Sequence, residues 1–198
     1  MKNVRCSLAI ALTFSSFPLC CAQTPEMRQP NDRLTSTEFR YVAAACAPSV
    51  TFVTLRAIAR VESGFHPYAL SLDYPRRTAR EQGLADGGIF LARQPKNLTE
   101  ALAWTHWLLR HGRSVSIGLM QISTQHAADL GLSADQLFDP CTNVRAGAQI
   151  LAAEYQRAAA LGGEGQTALR RALSEYNSGS PIVGFDNGYV SIVADGEF

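Results

Sequence analysis

The chain has 198 residues, 46% of them hydrophobic, and a formal net charge of +1. Its 18 basic and 17 acidic residues are interspersed. The balance and the lack of a basic patch argue against a nucleic-acid partner, and the length suits one compact domain and little more.

The chain opens with Met1-Lys2-Asn3-Val4-Arg5, an apolar run from Cys6 to Phe17, and Pro18-Leu19-Cys20-Cys21-Ala22. That is the layout of a secretory signal peptide over residues 1–22, with cleavage expected after Ala22. The apolar run is too short to span a bilayer. Neither Cys20 nor Cys21 has a Leu three residues before it, as a lipid-modified cysteine would want. Removing the signal takes two basic residues and no acid, so the remaining chain of about 175 residues is near neutral. No later segment reads as membrane-spanning, and the expected location is the periplasm.

Residues 23–35 are polar, carry Pro25 and Pro30, and read as a flexible lead-in to a domain over residues 36–198. Thr37 to Ala47 predicts a short Ala-rich helix that Pro48-Ser49 breaks. Val50 to Glu62 predicts a second, with Val50, Val53, Leu55, Ile58 and Val61 near one stripe and Gly64 placed to end it. Residues 65–96 are richer in Pro and Gly. There the runs Tyr68-Ala69-Leu70-Ser71-Leu72 and Gly88-Ile89-Phe90-Leu91-Ala92, with the turn signal Asp86-Gly87-Gly88, predict a small β-hairpin. Asn97 reads as a helix cap with Glu100 three residues on. Leu98, Ala101, Leu102, Leu108 and Leu109 supply the apolar face, and Gly112 the end. Leu119 to Leu130 predicts a further helix. Asp139-Pro140 opens the next, and Gly162-Gly163 breaks it. Thr167 to Tyr176 predicts a shorter helix. In the tail, Asn187-Gly188 is a turn signal, with Tyr189, Ile192 and Val193 in a last helical stretch.

Three of the five cysteines leave with the signal. Cys46 and Cys141 remain and read as one disulfide in an exported chain, the alternative being two free buried thiols. No histidine stands at ligand spacing from either, so no metal or other cofactor is expected.

Three segments carry candidate chemistry. Glu62 ends an apolar helix. Such a setting raises a carboxyl pKa and keeps a proton donor neutral, although most helix-end glutamates simply face water. Gly118-Leu119-Met120-Gln121 combines a glycine that permits close approach with an amide able to donate and accept, as sugar hydroxyls require. Read alone, Met120 is equally a core residue. Tyr176-Asn177-Ser178-Gly179 places a phenol and an amide at a helix end, and Tyr176 alone is equally a core aromatic.

Together, Glu62-Ser63, Ser116-Ile117-Gly118-Leu119-Met120-Gln121 and Tyr176-Asn177-Ser178-Gly179 resemble the signature of the lytic transglycosylases, lysozyme-like enzymes that cut peptidoglycan. The likeness is nearest to the small exported transglycosylases of type IV secretion and conjugation systems. Cys46-Ala47-Pro48, Ala92-Arg93-Gln94-Pro95, Leu137-Phe138-Asp139-Pro140-Cys141-Thr142-Asn143 and Gly184-Phe185-Asp186-Asn187-Gly188-Tyr189-Val190 add to it. The resemblance implies an α+β, mainly α-helical, lysozyme-like fold with a small β element beside the catalytic cleft. It implies Glu62 as the sole catalytic carboxylate, acid and then base, with the substrate's own 6-hydroxyl as nucleophile and a 1,6-anhydro product. It implies substrate contacts from Ser63, Met120, Gln121, Tyr176 and Asn177, and as partners peptidoglycan glycan strands and components of a secretion or conjugation machinery. One departure is Glu175, where a small residue usually precedes Tyr-Asn. A second negative charge facing Glu62 would raise its pKa.

Two competing readings stay open. A hydrolytic lysozyme on the same scaffold would need a second carboxylate to activate water, and Asp73 and Asp86 are the candidates. A non-catalytic peptidoglycan-binding assembly factor would have no use for Glu62.

Overall fold

A computed structural model of the chain describes residues 33–73, 89–91 and 93–194. The expected signal peptide, the lead-in as far as residue 32 and the Asp86-Gly87-Gly88 turn lie outside the described residues. The architecture is mainly helical with one small antiparallel sheet, as a lysozyme-like fold requires.

Helix α1 (Ser36–Cys46) starts at a reciprocal cap. The Thr35 hydroxyl accepts from the Glu38 N–H, and the Glu38 carboxylate accepts from the Thr35 N–H at 2.7 Å. Residues 33–35 were expected to belong to a loose lead-in. They are instead docked on the body, with Leu34 buried and its N–H donating to the Phe65 carbonyl at 2.9 Å.

Helix α2 (Phe52–Ser63) buries Leu55, Ala57, Ile58 and Ala59, while Val53 is 72% exposed. The buried face is therefore rotated from the expected stripe toward the small alanines, which let neighbouring helices approach closely. The helix ends in a Schellman motif. Gly64 is left-handed at φ +56°, its N–H bonds to the Arg60 carbonyl, and the Phe65 N–H bonds back to the Ala59 carbonyl.

The sheet comprises β1 (Leu70–Leu72), β2 (Ile89–Phe90), β3 (Val115–Ile117) and β4 (Ile122–Ser123), in the order β2-β1-β3-β4. The expected pairing of β1 with β2 is present. β1 is also paired on its other edge, with Leu70 opposite Ile117 and Leu72 opposite Val115. Alternation sends Leu70, Val115, Ile117 and Ile122 into the core. It aligns Ser71, Ser116 and Ser123 across the opposite face.

Between β3 and β4 the chain turns tightly, with Gly118 at φ +80° and Gln121 at φ +48°. The helix expected over Leu119–Leu130 is therefore shorter. Leu119–Gln121 form the turn, and α4 spans only Thr124–Asp129, capped by Ser123. A left-handed Gln121 followed by strand pairing at Ile122–Ser123 is incompatible with a continuous helix from Leu119.

Helix α3 (Leu98–Arg110) is capped by Asn97 as expected and buries Ala101, Thr105 and Leu108. Leu98 and Leu109, expected on its apolar face, are 42% and 37% exposed. A 3-10 turn (Asp135–Phe138) leads to α5 (Pro140–Ala160), which opens on Asp139 and Pro140 as the sequence predicts. Helices α6 (Gly165–Ser178), α7 (Val183–Asp186) and α8 (Tyr189–Ala194) complete the described chain. Helix α5 packs on α6 and α1, and α8 lies against both α2 and α6. Among the described residues no helix is long and apolar enough to cross a membrane.

Cys46 at the end of α1 and Cys141 in the first turn of α5 form a disulfide, 95 residues apart in sequence. Closing so long a loop limits the unfolded chain and stabilises the fold by at most about 4–5 kcal/mol in the chain-entropy account. Reduction, or Cys46→Ser, is expected to lower the Tm of the purified protein by several degrees. Equal melting with and without reductant would show that the bond carries no stability.

Candidate active site

Glu62 occupies the last turn of α2, one residue before the helix end. Its Oε1 accepts a 2.7 Å hydrogen bond from the Tyr189 hydroxyl, across 127 residues of sequence. The residue is half-buried, with its carboxyl end the enclosed part. Burial raises its pKa from 4.5 to about 7, and the bond from Tyr189 opposes part of that rise. Glu175, the departure noted in the sequence, is not among the causes of this shift.

Two phenols stand around this carboxyl. Burial, and then the charge of Glu62, push both Tyr176 and Tyr189 well above the ordinary tyrosine value, so both stay protonated donors. Tyr176 donates to the Met120 carbonyl at 2.7 Å. Tyr189 holds one carboxyl oxygen of Glu62 and leaves Oε2 as the oxygen to carry a proton.

The second motif is bound to the acid's helix through its backbone. The Ser63 hydroxyl donates to the Leu119 carbonyl at 2.8 Å and lies 3.1 Å from the Ala59 carbonyl. Met120 is fully buried, its side chain lying against the face where Gly147 has no Cβ. It meets the site through its carbonyl, held by Tyr176. Gln121 turns toward the sheet. Its Oε1 accepts from the Ser71 hydroxyl at 2.7 Å, and its Nε2 donates to the Gly118 and Ala69 carbonyls. Asn177, at the end of α6, accepts from the Asn187 side chain at 2.8 Å, and Asn187 in turn accepts from the Tyr189 N–H at 3.0 Å. The structure thus brings Glu62, Ser63, Met120, Tyr176 and Asn177 into one connected arrangement. Gln121 stands on its sheet side.

Three contributors had no assigned role in the sequence reading. Tyr189 reads from the sequence as part of a helical stripe and Asn187 as a turn signal, and both stand in the matching segment Gly184–Val190 without a role of their own. Asn143 is buried inside α5. Its side chain donates to the Ile117 and Leu137 carbonyls and accepts from the Met120 N–H, each at 2.8 Å. The Gly118 turn is built against it, since a Cβ on Gly118 would strike the Asn143 amide and the Leu137 carbonyl. The signal for Asn143 was its place at the end of the matching segment Leu137–Asn143.

The acids considered for a hydrolytic route stand differently. Asp73 lies just beyond β1 and accepts from three hydroxyls, those of Ser114, Ser116 and Ser123, at 2.6–2.7 Å. That network ties the polar face of the sheet together. Asp86 lies outside the described residues. Among the described residues no three metal-ligating side chains are grouped to hold an ion. His66 is buried and accepts from the Tyr68 N–H, while His106 pairs with Asp135 at the surface.

Residues 41–196 match the family described as the transglycosylase SLT domain. "Protein virB1" of Rhizobium radiobacter is 38% identical over 184 residues, covering 93% of this chain and 67% of that protein. "Type IV secretion system protein virB1" of Brucella abortus is 37% identical over 148 residues, covering 74% of this chain and 56% of that protein. "Protein virB1" of Agrobacterium fabrum is 36% identical over 157 residues, covering 79% and 58%. The chain therefore spans between about half and two thirds of the length of these relatives. No solved structure matches it.

Proposed function

From the premise that the chain belongs to the transglycosylase SLT family, we propose that it is a peptidoglycan lytic transglycosylase that uses Glu62 alone as its acid and base. The bond cleaved is the β-1,4 linkage from N-acetylmuramic acid to N-acetylglucosamine. The observation that carries this reading is the state of Glu62, a carboxyl held near pKa 7 by burial with one oxygen engaged by Tyr189.

The geometry suits a two-step reaction. Protonated Glu62 gives its proton, from Oε2, to the glycosidic oxygen as the bond to the muramic C1 breaks. Positive charge develops on the muramic ring, and its 2-acetamido oxygen shares that charge. Glu62, now a carboxylate, takes the proton of the 6-hydroxyl as O6 bonds to C1. The ring closes as a 1,6-anhydro end, the acid is restored and no water is consumed. A group with pKa near the working pH serves both steps, because it neither holds nor loses its proton too strongly. The phenols of Tyr176 and Tyr189 remain donors throughout, and Asn187 fixes Tyr189 by its backbone.

The engagement of Asp73 by three hydroxyls speaks against its use as a free base for water. The name of the Brucella abortus relative places that protein in a type IV secretion system. By that likeness the chain would act outside the cytoplasm, opening the wall locally for a secretion or conjugation apparatus.

Mass spectrometry of soluble fragments from purified peptidoglycan tests the reaction. The expected products are muropeptides with anhydro ends. Reducing ends, each one water heavier, would make the protein a hydrolase. Binding to sacculi with no fragment released would leave a binding role.

A further inference from the structure

We propose that Arg33, upstream of the segment that matches the family, is a positioning residue that holds the end of the catalytic helix in register for Glu62. The proposal rests on the acid role of Glu62 given above.

The residues that follow Glu62 form a turn under backbone tension. Gly64 and Phe65 are both left-handed, at φ +56° and +64°. Glycine adopts that conformation freely, but for phenylalanine it is an unfavourable one that persists only where the surroundings impose it. The Schellman bonds satisfy the N–H groups of the turn. The carbonyls of Ser63 and Gly64 point out beyond the helix, and one nitrogen of the Arg33 guanidinium donates to both, at 2.7 and 2.8 Å. A cation at this point also complements the partial negative charge of a helix carboxyl end.

The arginine does not reach the turn as a free surface side chain. Its own backbone is fixed on the next residue, because Leu34 is buried and donates to the Phe65 carbonyl at 2.9 Å. Phe65 in turn packs its ring 5.3 Å from that of Phe39 on α1. Arg33 and Leu34 therefore grip the turn on successive carbonyls, Ser63, Gly64 and Phe65. The guanidinium fills the space that any side chain at residue 64 would need, so glycine there serves the clamp as well as the left-handed turn.

The consequence falls on the acid one residue away. Glu62 is held through its side chain by Tyr189 and through its backbone by the clamped helix end. Without Arg33 the Gly64 carbonyl loses its donor, the Ser63 carbonyl keeps only the longer bond from the His66 N–H at 3.2 Å, and the strained turn is free to relax. The carboxyl then shifts from the phenol and water gains access to it.

The test compares wild type, Arg33→Ala and Arg33→Lys in the mature protein. Anhydro-muropeptide release gives kcat and KM per folded molecule, with the folded fraction read by circular dichroism. Separately, carbon-13 NMR follows the titration of the Glu62 carboxyl, identified by its loss in Glu62→Gln. Arg33→Ala is expected to lower kcat by about tenfold, since small displacements of catalytic groups are costly. KM should stay within about twofold. The Glu62 midpoint should fall toward the ordinary carboxylate range as water enters. Arg33→Lys should restore most of both, because a single nitrogen makes both contacts.

Unchanged kcat and midpoint in Arg33→Ala would overturn the proposal. So would a loss of activity that follows the unfolded fraction alone. The NMR midpoint reads the clamp even if wild type releases no anhydro product, so failure of the transglycosylase reading and failure of the clamp are separable.

Discussion

Glu62→Gln is expected to abolish turnover while leaving the fold intact. Glutamine preserves the shape of the side chain and an oxygen to accept from Tyr189, but it can neither give nor take the proton. General acid–base catalysis is worth about 10²–10⁴-fold, and here one residue does both jobs, so a loss toward the upper end is expected. Residual rates within tenfold of wild type, in the fragment-release assay, would mean that another group supplies the proton.

The same variant tests the pKa through stability. Glu62 has its folded pKa raised, from 4.5 to about 7, because burial disfavours its anion. The native state therefore holds a proton that the unfolded chain releases between those values. The contribution to stability is fully present below pH 4.5 and is lost as pH rises through 7. A shift of that size corresponds to about 3 kcal/mol. Glu62→Gln is uncharged at every pH, so it should melt higher than wild type at pH 8 and close to it at pH 4. Parallel melting curves across that range would show that the carboxyl is solvated and ordinary. Activity of the wild type should fall above pH 7, as the acid form is depleted.

The second large effect is structural. Asn143→Ala is expected to cost about 3 kcal/mol or more, because it strands two buried carbonyls and one buried N–H at once. Domains of this size are stable by only about 5–15 kcal/mol, so the loss is a large share of the whole. Activity should fall beyond the loss of folded protein, since Asn143 is what the turn carrying Leu119 and Met120 is built on. Denaturant unfolding of the variant measures the first quantity, and fragment release per folded molecule the second. A change under about 1 kcal/mol would mean that water replaces the lost amide.

Much of the helical frame was legible because local chemistry announces it. Asn97, Asp139-Pro140 and Gly64 are caps and stops that act within one turn of chain, and each stands where the sequence predicts. The region after Ser116 was misread for the opposite reason. Leu119 to Leu130 has helical composition, but Gln121 is left-handed and Ile122–Ser123 turn back onto β3, in a hairpin held by β1, Ser71 and Asn143, all far away in sequence. The exposure of Val53 likewise follows from which helices crowd α2, which no spacing rule records. At the site, Glu62 was legible from its apolar run and its motifs. Tyr189 was not, because a tyrosine in a helical stripe looks the same whether its hydroxyl meets water or a carboxylate. Arg33 was hidden in a polar stretch that gives no sign of being docked.

The bond between Glu62 and Tyr189 joins residues 127 apart in sequence. A chain made from its amino end therefore has its acid on α2 long before it has the phenol on α8. During synthesis the carboxyl lies open to water, without the enclosure that raises its pKa. On the role proposed for Glu62, competence to cut the wall arrives only when α8 has been made and has folded back on α2. A copy broken off anywhere before Tyr189 keeps the acid but lacks the phenol that holds it, and on the proposed role it is expected to be inactive.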